Sequence, residues 1–355
     1  MKILIIHPYS FSEYKGGVER YCQNLAQAFS NEKEIKISQV TGHCFKFLGE
    51  PLPTLNLFRI IKKENPDIFH LHGPRPFATI CAIFGKILKK KMVLTYYAHL
   101  HPQGFLKKII AKLDLTLAKY LFDFLTVISE KYRDDLIKSF SSEKIRIIPL
   151  LLEDKFFQFQ KDKEECRAEL SLGKGKIVLF VGKLDSHHYY KGVDILMAAA
   201  KLMPGEVKFI IVGDGDRKKD YEEKVLESGL GEKIEFRGNV SEVDLMRFYR
   251  AADIFVLPST SDSEGFGFVL LEAMAMGLPV ITTEVVGSAK IIEENQAGII
   301  IPANSPSSLS DAIQKLAKDE LLRQTLVRNG RILAEEFRME KNIHKFLEIY
   351  QQLIK

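Results

Sequence analysis

At 355 residues the chain is long enough for about two domains of roughly 150 residues each. Hydrophobic residues make up 46% and charged ones 27%, a globular balance that excludes a disordered, collagenous or coiled-coil chain. The net charge of +5 is uneven: residues 1–160 hold 24 basic against 15 acidic side chains, the remainder 27 against 31, so the first half suits an anionic partner, although no nucleic acid is expected.

The chain opens on an apolar run over residues 2–6 that reads as a buried first strand. The run is too short for a signal peptide and lacks a small-residue cleavage site. No apolar run nears the 18 or so residues that would span a bilayer. Cys22, Cys44, Cys81 and Cys166 lie far apart with no CxxC pair. That pattern points away from a disulfide framework or a cysteine zinc site and toward a reduced, cytoplasmic chain.

Further apolar runs follow at 67–72, 92–98, 124–129 and 146–150, then at 177–182, 208–213, 234–238, 254–259, 279–284 and 298–302. They are short, rich in Ile, Val, Leu and Phe, and do not alternate, as strands buried on both faces should read. Helical patterns separate them at 18–30, 105–121, 191–203, 241–251, 267–276 and 307–318, and a last amphipathic segment covers 335–354. Strand and helix in alternation predict parallel sheets with helices on both faces. The fold class is therefore α/β, with two doubly wound Rossmann-like domains divided near residues 150–175. The expected bounds are 1–155 and 170–330, with 335–355 as a C-terminal helix. Residues 153–170, charged but carrying Phe156, Phe157 and Phe159, read as a packed hinge.

Open α/β sheets bind ligands beyond the carboxyl ends of their strands. After the first strand, Gly16 and Gly17 open a helix, where backbone N–H groups and the helix dipole can receive an anion. The GxGxxG fingerprint of dinucleotide enzymes is absent. In the second half Lys183 leaves a strand end beside Gly182 and Lys191 begins the next helix; two ammonium groups converging there suit a diphosphate. The segment 258–275 is the richest. A strand ends near Ser259, a loop with Gly265 and Gly267 follows, and a helix begins with Glu272 among apolar residues. Glu264 sits at the helix mouth. A buried carboxylate needs a partner, and hydroxyls of a sugar or ribose would serve, as would an internal salt bridge.

Glu264, seven residues and then Glu272 resemble the EX7E signature of retaining nucleotide-sugar glycosyltransferases, the family that includes sucrose synthases and phosphatidylinositol mannosyltransferases. The companions occur in order: GGVER at 16–20, PDIFHLHG at 66–73, VGKL at 181–184, KGVD at 191–194, VGDG at 212–215 and GLPVITT at 277–283. The resemblance implies a GT-B architecture, two Rossmann-like domains facing across a cleft, with the last helix returning to the first domain. It implies that Lys183 and Lys191 bind the diphosphate, with Gly182 beside them and Gly16 and Gly17 approaching from the other domain. Glu272 would bond the ribose, Glu264 the donor sugar, and Gly265, Phe266 and Gly267 would offer backbone donors. Val240 would meet the base. His99 would face the sugar, though His101 competes for that place. Glu264 and His99 are the catalytic candidates.

No metal or other cofactor is expected, because two lysines can replace the cation of other glycosyltransferases. Asp214 with Asp216, His70 with His72, and His99 with His101 imitate metal pairs, but the first reads as a glycine turn after a strand and the histidine pairs have no acidic cluster nearby. Lys183 departs from the family's usual arginine and loses its bidentate fork. The expected chemistry is front-face transfer, with the diphosphate taking the acceptor's proton; double displacement through Glu264 is the alternative. Lysines at 86, 89–91, 107, 108, 112 and 119 beside apolar residues suggest peripheral contact with an anionic membrane, on the inner face, and a glycan or lipid-linked acceptor. Rival readings are an inactive sugar-nucleotide-binding subunit, a phosphorylase or an epimerase of the same architecture.

Overall fold

The computed structural model describes residues 1–9, 17–30, 32, 34–47, 50–73, 75–97, 105–203 and 207–355. The chain forms two compact units, Met1–Leu151 with Arg338–Lys355, and Leu152–Phe337.

In the first unit six strands are β1 (Lys2–His7), β2 (Lys36–Thr41), β5 (Ile68–His72), β6 (Lys91–Tyr96), β7 (Phe124–Val127) and β8 (Ile145–Ile147). They pair in parallel in the order β2-β1-β5-β6-β7-β8. A separate antiparallel ribbon joins β3 (Cys44–Phe47) to β4 (Glu50–Pro53). The central strands are mostly apolar because helices cover both faces: every residue of β5, His70 and His72 included, and five of the six in β1 are buried. The edge strand β2, KISQVT, is mostly not buried. Its polar sequence lacks the signal of the central strands, and sequence reading passes over it.

The second unit repeats the plan. Its strands β9 (Ile177–Val181), β10 (Lys208–Val212), β11 (Ile234–Gly238), β12 (Ile254–Leu257), β13 (Val280–Thr283) and β14 (Gly298–Ile301) lie in the order β11-β10-β9-β12-β13-β14, all parallel. Residues 153–170 pack into this unit. Asp162 caps the helix Lys163–Glu169 by accepting from the Glu164 and Glu165 N–H groups. Arg167 and Lys163 each reach Asp253 at 2.8 Å, and the Ile177 N–H donates to the same carboxylate at 2.8 Å. Burial opposes ionisation of Asp253, but the Lys163 and Ile177 hydrogen bonds and the Lys163 and Arg167 charges outweigh it and hold the carboxyl below its usual range.

The C-terminal helix starts at Met339, not at 335. Glu335 ends the preceding helix, Glu320–Glu335, and Phe337 leaves the helical path between them. Its ring packs on Phe266 at 5.3 Å and its carbonyl accepts from the Leu152 N–H at 2.8 Å. Helix Met339–Ile354 belongs to the first unit, where Phe346 lies 6.4 Å from Tyr21 and Tyr350 lies 5.8 Å from Phe29.

Candidate functional site

In the second sheet the chain runs from β9 outward to β10 and β11, then restarts on the other side of β9 with β12. The reversal between β9 and β12 is a topological switch point, where loops at the carboxyl ends diverge and leave a crevice. Gly182 and Lys183 follow β9 there, and residues 258–267 follow β12. A hollow of about 340 Å³ lined by Arg167, Lys174, Lys176 and Asp253 lies at the opposite, amino end of these strands, where Arg167 and Lys176 pair with Asp253.

Three close approaches assemble the crevice, and each needs glycine. Gly192, at φ +81°, precedes the helix Val193–Leu202, and a Cβ there would meet the Pro258 carbonyl oxygen at 1.9 Å. The neighbouring Tyr190 carbonyl accepts from the Thr260 N–H at 2.7 Å, which ties the β9 and β12 loops together. Gly213, at φ +145°, lies against Gly182, whose carbonyl oxygen would be 1.8 Å from an added Cβ. Gly267, at φ +80°, opens the helix Phe268–Ala275.

Lys191 crosses Gly182, where its Cδ would be 2.9 Å from an added Cβ. Its Nζ meets Glu264 Oε2 at 2.5 Å, and the two side chains are only 12% and 11% exposed. The sequence assigns these groups to phosphate and sugar; in the structure they hold one another. Tyr190 lies beneath them, its ring 5.9 Å from Lys191 Nζ. Burial, then the Glu264 carboxylate, then Asp185 push its phenol up.

Glu272 is 2% exposed on the helix that Gly267 opens and accepts from the Tyr249 hydroxyl at 2.8 Å. A carboxylate offers about four acceptor positions, and this bond uses one. Phe266 turns its ring inward, 4% exposed, so only its backbone can serve a ligand. Gly265 and Lys183 are half-buried in their loops. Val240 is half-buried just after β11, beside Asn239, which donates to Asp214 at 3.5 Å. Gly17 is exposed at the start of the helix Gly17–Ala28 in the first unit. Gly16, His99 and His101 lie outside the described residues.

The carboxylates that imitate a metal pair are occupied as turn acceptors: Asp214 receives the Gly215 N–H at 2.9 Å, and Asp216 the Ser186 N–H at 2.7 Å. His70 and His72 do share a face, with ring centroids 4.1 Å apart. His70 bonds Tyr350 and Thr95, and His72 bonds Tyr97. Among the described residues no group of three His, Cys, Asp or Glu side chains could hold a metal ion.

Sequence reading missed Asp185 and His188 in the β9 loop, whose Oδ1 and Nδ1 meet at 2.6 Å. The only signal was the pair of histidines ahead of KGVD. Tyr249 as the partner of Glu272 had no local signal.

A family profile described as "Glycosyl transferases group 1" matches residues 162–333, and one described as "Glycosyltransferase Family 4" matches 32–152. An uncharacterized glycosyltransferase of Methanocaldococcus jannaschii is 29% identical over 99% of each chain. The phosphatidyl-myo-inositol mannosyltransferase of Mycobacterium leprae is 30% identical over 50% of this chain and 46% of its own. Among solved structures, Anabaena HepE in complex with UDP and glucose superposes with a TM-score of 0.81, covering 99% of this chain and 100% of its own at 20% identity. All four Cys are free thiols, and among the described residues no helix is long and apolar enough to cross a membrane.

Proposed function

The chain is a glycosyltransferase of the group 1 family with a GT-B fold, and from that premise we propose that it moves a sugar, with retention, from a nucleotide diphosphate sugar to a hydroxyl of a glycan or lipid-linked acceptor. The observation that carries this reading is the Lys191–Glu264 pair at the switch point, laid over Gly182. An ammonium group enclosed by glycine backbone and one carboxylate is pre-placed for an arriving diphosphate. When the anion binds Lys191, Glu264 is released to accept from the hydroxyls of the sugar beside it.

Cleavage of the glycosyl–phosphate bond builds negative charge on the diphosphate and positive charge on the sugar. Lys183, Lys191 and the N–H groups around Gly265 and Gly267 stabilise that leaving group without reorganising, which takes the place of a metal ion. A fixed donor of this kind contributes about 3–4 kcal/mol. The acceptor hydroxyl attacks from the side on which the diphosphate departs, and a phosphate oxygen takes its proton. Glu272 keeps its place under the ribose while bonded to Tyr249, and Val240 meets the base. Gly16, Gly17 and His99 are assigned by the resemblance alone.

A panel of UDP-, GDP- and ADP-sugars in a thermal-shift assay tests the donor site. A donor at 100 times its Kd stabilises by about 2.7 kcal/mol, and Lys191→Ala abolishes the shift; a shift that survives the substitution places the diphosphate elsewhere.

The acceptor reading rests on the first unit. Helices Arg75–Ile87 and Phe105–Leu121 pack together and leave Ile83, Ile87, Leu113, Leu117 and Tyr120 exposed beside Lys112 and Lys119. Apolar side chains interleaved with lysines suit the surface of an anionic membrane. Co-sedimentation with anionic vesicles but not with neutral ones is expected, and equal recovery from both supernatants ends that part of the reading.

A further inference from the structure

The loop from β9 to the helix Val193–Leu202 carries a second built group that the family signature does not use. Asp185 Oδ1 accepts from the N–H groups of His187 and His188, each at 3.0 Å, and bonds His188 Nδ1 at 2.6 Å. The His188 carbonyl accepts from the Lys191 N–H at 3.0 Å, and Ser186 is tied to Asp216. The imidazole is therefore fixed from both backbone and side chain, with its ring 5.7 Å from that of Tyr190. Asp185 is held ionised: burial works against it, but the bond and charge of His188 and the two N–H groups prevail.

This arrangement sets the tautomer. An ionised carboxylate only accepts, so Nδ1 must carry the proton, and in the neutral ring Nε2 is bare. Among the described residues Nε2 makes no hydrogen bond. The charged groups bearing on the ring are Asp185, Lys191 and Lys183, with the Tyr190 ring tilted against it and Glu264 paired to Lys191. In the free protein burial pushes His188 down; Asp185 opposes this and both lysine charges reinforce it. A diphosphate seated on those lysines reverses the sign of the local field, and a second proton on the ring makes Nε2 a donor.

We propose that His188, backed by Asp185, is a third cationic ligand of the nucleotide diphosphate sugar, donating from Nε2 to a phosphate oxygen, so that the donor binds together with a proton. The proposal rests on the reading that Lys183 and Lys191 hold the diphosphate. The sign follows from the two states. Affinity is weakest at pH above the bound-state pKa of His188, strengthens as pH falls through it, and levels off below the free-state pKa. Between those limits the slope approaches about tenfold in Kd per pH unit.

The test is calorimetric titration of the wild-type protein with UDP-glucose, GDP-mannose and ADP-glucose, in buffers of different ionisation enthalpy and across neutral pH. Such diphosphate diesters do not themselves titrate near neutrality, so any proton taken up belongs to the protein. The wild type is expected to take up a proton on binding, His188→Gln to bind several-fold more weakly with no uptake and a flat pH profile, and Asp185→Asn to show a reduced slope. Lys191→Ala separates the two readings. If binding survives in Lys191→Ala, or if none of the three sugars binds the wild type, the donor-site reading falls and this inference with it. If binding requires Lys191 but the wild type takes up no proton, or His188→Gln takes up as much, the inference alone is overturned. The wild-type measurement stands even if a variant fails to fold.

Discussion

The two units share one plan, a six-stranded parallel sheet with a switch point, yet the groups described near the carboxyl ends of their strands differ in chemistry. In the first unit the reversal falls between β1 and β5, and the strand ends there carry His7 and His72, both buried. Burial holds His70 and His72 neutral, and the latter is pushed down further by His70 and His7. The partners of these rings are hydroxyls, from Tyr350, Thr95 and Tyr97. In the second unit the reversal is lined by Lys183, Lys191, Glu264 and the Asp185–His188 pair. Architecture alone therefore does not choose a ligand. The buried, hydroxyl-bonded histidines described in the first unit suit uncharged sugar or polyol groups, and an edge with cations held in low dielectric suits a diphosphate.

The charge of the second unit's edge depends most on Lys191. Lys191→Ala leaves Glu264 as an uncompensated carboxylate, so the free protein is expected to lose about 3–5 kcal/mol of stability. Transfer should fall about 10²–10³-fold through the lost leaving-group contact. Denaturant titration and steady-state kinetics measure the two. A variant that transfers at the wild-type rate removes the charged edge from the mechanism.

Tyr249→Phe tests whether Glu272 depends on its internal partner. Loss of a hydrogen bond to a charged, buried acceptor should cost about 1.5–3 kcal/mol, and the ring contact with Phe255, 5.7 Å away, survives the change. If Glu272 also receives the ribose, donor sugars should restore part of the lost stability. An unchanged unfolding midpoint would show that Tyr249 contributes little to holding the carboxylate.

The smallest effect per step is in pH. His70 ionises at about 3 in the folded protein against 6.5 unperturbed, so below 6.5 the unfolded chain binds the extra proton. Stability of the first unit is therefore full above that value and erodes toward pH 3, by about 1.4 kcal/mol per pH unit for one group. Asp253 acts later: its folded value lies under 3.8, so its contribution is present above 3.8 and lost as pH falls through the lower folded value. Near pH 5 the first unit should be weakened and the Asp253 cluster untouched. Hydrogen exchange resolved by segment distinguishes them, and His70→Phe should reduce the slope of the first unit alone, leaving the part that buried His72 contributes.

The resemblance carried the family and fold, and composition carried the class, because a parallel strand buried on both faces leaves a continuous apolar run that needs no partner to be recognised. Edge strand β2 escaped for the converse reason: with one side toward solvent, KISQVT carries no such run. The last helix was drawn four residues too early because Phe337 fits an apolar periodicity while its ring is directed to Phe266 instead. Gly16 and His99 lie outside the described residues.

Within the candidate site, residue types were legible and pairings were not. Spacing placed Glu264 at a helix mouth and Lys191 at a helix start, since both positions follow from local glycine and strand signals. That the two meet at 2.5 Å, that Tyr249 bonds Glu272, and that Tyr350 reaches His70 across 280 positions of chain was decided by tertiary structure. Hydrophobic periodicity reports whether a side chain is buried, an average over one helix or strand. Which charge or hydroxyl it meets depends on how separate elements pack, and that is set by the whole chain at once.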